Sequence, residues 1–155
     1  NKEKLNEKIK SKIFFGDIKY TFEEFIKTNP DLIISIFFDL DYYSSTKNFL
    51  NQIPKFKNFF CPRVYCYFDD IFDTNHHINE HNGELLAIKE FNIQNSEIKI
   101  GKSHEHSSDF KFPLGRENLF ILHNFNQKNY SKLIFPQKSH LGINDRDVGG
   151  DIFNF

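Results

Sequence analysis

Ile33-Ile34-Ser35-Ile36-Phe37-Phe38-Asp39-Leu40-Asp41 and Val64-Tyr65-Cys66-Tyr67-Phe68-Asp69-Asp70 are the two stretches that decide the fold. Each is a short run of branched and aromatic residues, the composition of a buried strand. Each closes on a pair of carboxylates. Ligands of open α/β sheets collect just beyond the carboxyl ends of the strands, so four acids are aimed at one rim. Parallel neighbouring strands lie about 4.8 Å apart, close enough for Asp39, Asp69 and Asp70 to share one cation. Carboxylates crowded together without a cation repel and raise one another's pKa, and a hard metal ion relieves that cost. The pattern therefore predicts a divalent-metal site at Asp39, Asp69 and Asp70. The plainer reading, solvated strand-end acids that cap the next helix, suits one such pair better than two.

Working outward, the spacing predicts strands alternating with helices. Leu5 and Ile9 among charges give a weak amphipathic helix over 2–10. A short strand over Lys12 to Phe15 ends at Gly16-Asp17. Thr21 and Glu24 resemble a capping box for a helix running to about Lys27, which Asn29-Pro30 stops. The strand at 32–38 follows, then a helix from about Ser45 to Ile53, a connection from Pro54 to Pro62, and the strand at 64–68. Beyond a polar loop come a helix over Gly83 to Asn92 and strands over Glu97 to Ile100 and Leu119 to His123, with the loop Lys102 to Pro113 between them. Alternation of this kind implies an α/β fold on a mostly parallel sheet with right-handed crossovers. The tail from Ser139 reads as irregular.

Composition bounds the function. The 155 residues fit a single domain, 1–155, large enough to bury a core. The 20 basic and 21 acidic side chains nearly cancel, and no basic stripe marks a nucleic-acid surface. No apolar stretch reaches the roughly 20 residues that span a bilayer, and the charged N-terminus is no signal peptide. A cytoplasmic protein without nucleic-acid or membrane partners is the expectation. Cys61 and Cys66 read as plain thiols. The 20 phenylalanines belong to the core. The absence of methionine points to a chain truncated at its N-terminus.

Other chemistries fit less well. A phosphatase of the haloacid dehalogenase type wants Thr or Val where Tyr43 stands, and the acidic clusters are close together for its intervening lysine motif. A metal-dependent glycosyltransferase uses Asp-x-Asp on a nucleotide diphosphate, a short pattern that Asp39-Leu40-Asp41 meets. His76, His77, His81, His104 and His106 lack the cysteine or glutamate spacing of a zinc set. Asp145, Asp147 and Asp151 depart from the EF-hand spacing.

Four segments in order carry a family resemblance: Gly16-Asp17-Ile18-Lys19-Tyr20-Thr21, then Phe38-Asp39-Leu40-Asp41-Tyr42-Tyr43-Ser44-Ser45-Thr46, then Phe68-Asp69-Asp70, then Gly83-Glu84-Leu85-Leu86-Ala87-Ile88-Lys89-Glu90-Phe91. Over about residues 10–95 the chain resembles the macrocin O-methyltransferase family. That resemblance implies a Rossmann-like class I methyltransferase sheet, S-adenosylmethionine and Mg²⁺ as cofactors, and methyl transfer to a hydroxyl of a sugar or glycosylated metabolite. It makes Asp39, Asp69 and Asp70 the metal ligands, Asp41 the general base, and Gly16, Asp17 and Asp39 the cofactor-facing residues. The partner it implies is a small-molecule sugar or glycoside acceptor, with a homo-oligomer left open. The family's glycine-rich loop and first two strands lie upstream of Gly16, and those strands sit between the one ending at Asp17 and the one ending at Asp39. None of the seven glycines here forms that loop, so a gapped sheet that binds cofactor poorly is expected. A glycosyltransferase and a catalytically silent fragment are the alternatives.

Overall fold

The computed structural model describes residues 12–71, 78–103 and 118–131. The helix expected over 2–10, His76, His77, His104, His106 and the acidic tail lie outside the described residues. Along the chain come α1 (Ile18–Lys27), β1 (Ile33–Phe38), α2 (Tyr43–Leu50), a 3-10 segment (Ile53–Phe59), β2 (Phe60–Phe68), a 3-10 turn (Asp69–Ile71), α3 (Gly83–Gln94), β3 (Ile98–Lys102) and β4 (Leu119–Asn124).

The four strands form one open mixed sheet in the order β1-β2-β4-β3. β1 and β2 are parallel neighbours, with Ile36 opposite Cys66 and Phe38 opposite Phe68. β4 runs antiparallel to both β2 and β3. Three strands therefore point one way, but the reversed β4 sits among them, and one of the three pairings is parallel. The expected mostly parallel sheet is corrected to a mixed one. A parallel pair needs a long crossover, usually a helix, whereas antiparallel partners do not. β4 pairs antiparallel with β3, the strand before it, a connection that needs no crossover helix.

Alternation along the strands explains the layers. Phe38, Val64, Cys66, Phe68, Ile98, Ile100, Phe120 and Leu122 are buried on one face, where they meet Phe22 and Ile26 of α1, Phe49 and Leu50 of α2, and Ala87, Ile88 and Phe91 of α3. The ring of Phe49 packs edge-on against Phe38 with centroids 5.3 Å apart, and Phe38 stacks on Phe68 at 4.1 Å. Residues of the other parity look away from the helices: Tyr65 is 54% exposed and Phe37 77%.

Several boundaries differ from the sequence reading, among them α2, which spans Tyr43–Leu50 in place of Ser45 to Ile53, with a 3-10 segment following it. Residues 12–15 form no strand. Phe14 instead packs edge-on against Phe25 of α1, and β1 remains at the edge of the sheet, with Ile34 65% exposed. Asp17, not Thr21, caps α1, its Oδ1 accepting from the Lys19 N–H at 2.8 Å. Thr21 lies inside the helix and its hydroxyl donates to the Asp17 carbonyl, the back-bonding typical of a helical threonine. β2 begins four residues earlier than expected and contains Pro62, which a strand tolerates where the ladder is interrupted. The β1 register shifts between Ile33 and Ser35, and the β4 pairing starts at Arg63, so Pro62 falls outside both ladders.

Candidate metal site

The parallel pairing of Phe38 with Phe68 brings the two acidic strand ends side by side. After β1 the chain turns at Asp41, whose φ of 54° is left-handed, a conformation that costs energy for a residue with a Cβ and is tolerated best by Asn and Asp. Such outliers collect at functional sites. The Asp41 N–H donates to Oδ2 of Asp70 at 3.0 Å. The bond ties the end of β1 to the turn after β2 across 29 residues of sequence.

Asp39, Asp41 and Asp70 each place a carboxylate oxygen within 4.8 Å of the others. Oxygens on opposite sides of one ion are about 4.2 Å apart around Mg²⁺ and about 4.6–5.2 Å around Ca²⁺. The cluster is therefore the size a single hard cation spans, and an all-carboxylate set favours Mg²⁺, Mn²⁺ or Ca²⁺ over zinc. Asp39 and Asp41 are exposed and Asp70 is half-buried. Burial pushes the Asp70 carboxyl up from its ordinary value, and the charges of Asp41, Asp69 and Asp39 add to that, against the lowering effect of the Asp41 N–H.

The sequence expectation named Asp69 as a ligand with Asp39 and Asp70. The structure brings Asp39 and Asp70 together with Asp41, and Asp69 stands outside that group. Its Oδ1 accepts from the Tyr67 hydroxyl at 3.2 Å. Neighbouring residues of an extended chain leave on opposite sides, so Asp69 keeps the side of Tyr67 while the 3-10 turn carries Asp70 towards β1.

Two polar residues that the sequence did not single out shape this turn. Asn118, buried just before β4, donates through Nδ2 to the carbonyls of Phe68 and Asp69 at 2.6 and 3.0 Å. Glu84, in the first turn of α3, is fully buried. Its Oε2 accepts from the Asp70 N–H and its Oε1 from the Thr46 hydroxyl, both at 3.3 Å. Burial raises the Glu84 carboxyl to about 7. An asparagine before a strand and a glutamate at a helix start are both ordinary in sequence, so neither gives a signal without the fold. Farther from the cluster, Tyr43 and Lys47 of α2 converge on Oε2 of Glu90 in α3, each at 2.7 Å, and clamp the two helices together.

Of the residues expected to face the cofactor, Gly16 and Asp17 have structural duties at the start of α1 and Asp39 belongs to the acidic cluster. Asp17 spends Oδ1 on the α1 cap. Gly16 has a φ of 142°, and a Cβ there would lie 3.2 Å from Thr21, so its glycine serves the turn into α1. Together with the lack of a glycine-rich turn in the sequence, the described residues do not fit a complete S-adenosylmethionine site.

Neither protein-family models, nor curated proteins, nor solved structures give a match to this chain. Among the described residues no helix is long and apolar enough to cross a membrane.

Proposed function

We propose that this chain carries the metal-binding portion of a metal-dependent S-adenosylmethionine O-methyltransferase acting on a hydroxyl of a sugar or glycosylated metabolite. One observation carries the reading: Asp39, Asp41 and Asp70 meet within 4.8 Å at the carboxyl ends of two parallel neighbouring strands. The ordered resemblance of residues 10–95 to the macrocin O-methyltransferases supplies the chemistry. The edge position of β1 agrees with a family sheet in which further strands lie beside it.

In this reading Asp39 and Asp70 hold a hard divalent cation. Asp41, exposed beside them, is the carboxylate placed to accept the proton of the acceptor hydroxyl. A hydroxyl is a weak nucleophile at neutral pH, and a bound cation supplies orientation and a lowered hydroxyl pKa. The left-handed turn at Asp41 sets the direction in which its side chain leaves the backbone, beside Asp39 and Asp70.

Asp41 joining the cluster in place of Asp69 gives the glycosyltransferase alternative some support, because both acids of Asp-x-Asp then face one cation. Titration calorimetry separates the two. Methyl transfer requires Mg²⁺ or Mn²⁺ binding at Asp39 and Asp70, together with metal-dependent transfer of the S-adenosylmethionine methyl group to a glycoside by the full-length gene product. Metal-dependent binding of a nucleotide sugar, without binding of S-adenosylmethionine, selects the alternative. Absence of any metal binding rejects both.

A further inference from the structure

Glu84 is a carboxylate with no exposed surface, set behind the acidic cluster and not part of it. Both of its oxygens are used. Oε1 accepts from Thr46, itself fully buried on α2, and Oε2 accepts from the backbone N–H of Asp70. Asp70 in turn accepts from the Asp41 N–H. A continuous hydrogen-bonded chain thus runs from α2 through the first turn of α3 to the turn after β2 and on to the end of β1. The plain reading of Glu84 is a first-turn acid that complements the helix dipole. An acid serving that purpose does so from the surface and avoids the desolvation that full burial imposes. Here the burial places an acceptor directly behind the peptide that aims Asp70.

We infer that Glu84 is the positioning residue of the cluster: by holding the Asp70 N–H and anchoring to Thr46, it directs the Asp70 carboxylate at Asp39 and Asp41. The inference rests on the metal reading of those three acids. It assigns Glu84 no contact with the cation. Partners behind metal ligands typically change affinity about 10–100-fold when removed.

The test compares wild type, Glu84→Ala, Glu84→Gln and Thr46→Val by Mn²⁺ titration, thermal unfolding and hydrogen exchange at the Asp70 amide. Glutamine keeps the shape, offering its carbonyl to the Asp70 N–H and its amide to the Thr46 hydroxyl. Expected are a loss of at least about 10-fold in Mn²⁺ affinity and faster Asp70 exchange for Glu84→Ala, near wild-type behaviour in both for Glu84→Gln, and an intermediate result for Thr46→Val. An equal loss of affinity in the Ala and Gln variants would mean that Glu84 acts by its charge, and overturns the positioning role. Unchanged Asp70 exchange in Glu84→Ala overturns it as well, whatever the metal does. Should Glu84→Ala fail to fold, Thr46→Val with wild-type affinity and exchange overturns it. Wild type that takes up no Mn²⁺ removes the metal reading, while the exchange data still decide whether Glu84 holds the turn.

Discussion

At the end of β1 the two acids are separated by one residue, and at the end of β2 they are adjacent. That difference decides which of them meet. Asp39 and Asp41 straddle Leu40 and both join the cluster, with a left-handed residue making the turn. Asp69 and Asp70 leave the chain on different sides: Asp70 turns inward to accept from the Asp41 N–H, and Asp69 stays with Tyr67. The strands contrast too. β2 is central, with Val64, Cys66 and Phe68 wholly buried, whereas β1 is an edge strand of similar composition with Ile34 and Phe37 largely exposed. A long apolar edge is a template for pairing with another strand. The β2 turn is held by side chains from α3 and from the residue before β4; the β1 turn has its own Tyr42 N–H bond to the Leu40 carbonyl and takes its side-chain support from Asp70 of the β2 turn. Site geometry therefore depends most on Asp70, which belongs to both.

The largest effect should follow from breaking that shared residue. Asp70→Asn keeps an acceptor for the Asp41 N–H but removes the charge, and should weaken Mn²⁺ binding by about 100-fold, corresponding to about 2.7 kcal/mol. Titration calorimetry reads it directly. Asp41→Gly sharpens the contrast between the ends: glycine adopts the left-handed turn freely, so unfolding should show stability unchanged or raised by up to about 1 kcal/mol, while Mn²⁺ affinity falls by roughly 10-fold. Joint loss of stability and affinity would mean that the Asp41 side chain holds the turn.

A pH series probes the β2 side. The Glu84 carboxyl is raised from 4.5 to about 7 in the folded chain, so between those values the folded protein holds a proton that the unfolded chain releases. Stability from this group is greatest below about pH 4.5 and falls as pH rises to about 7. Glu84→Gln does not titrate. Its stability relative to wild type should therefore climb over that window, by about 3 kcal/mol, and level off above it. A difference that stays flat with pH would show that the buried carboxyl is not perturbed. The smallest effect belongs to Asp69→Asn, which should change Mn²⁺ affinity less than about 3-fold, the residual influence of one exposed charge nearby. A loss matching that of Asp70→Asn would restore Asp69 to the ligand set.

The sequence made the parallel pairing of the two acid-tipped strands legible, because apolar runs with acidic ends carry both the strand signal and its direction. It also made legible the approach of the two acidic strand ends, which follows from pairing alone, whereas the meeting of Asp39 with Asp70 also needs the 3-10 turn after β2. The choice between Asp69 and Asp41 was not legible, since it turns on hydrogen bonds from the Tyr67 hydroxyl and the Asp41 N–H that form only once the strands are paired. The reversed β4 was hidden for another reason: Leu119 to His123 reads as a strand in either direction, and nothing local to a strand states which neighbour it will take. Pro62 argued for a later start to β2 and was misleading because the β1 ladder is interrupted beside it. Glu84 and Asn118 work through backbone groups distant in sequence, and their residue types are unremarkable at a helix start and before a strand.

Locating Mn²⁺ by its anomalous scattering in a soaked crystal of the chain tests the central claim most directly. The account predicts one strong peak with carboxylate oxygens of Asp39 and Asp70 about 2.2 Å away and Asp69 turned towards Tyr67. A peak elsewhere, or none at full soak with the three acids splayed apart, would contradict it.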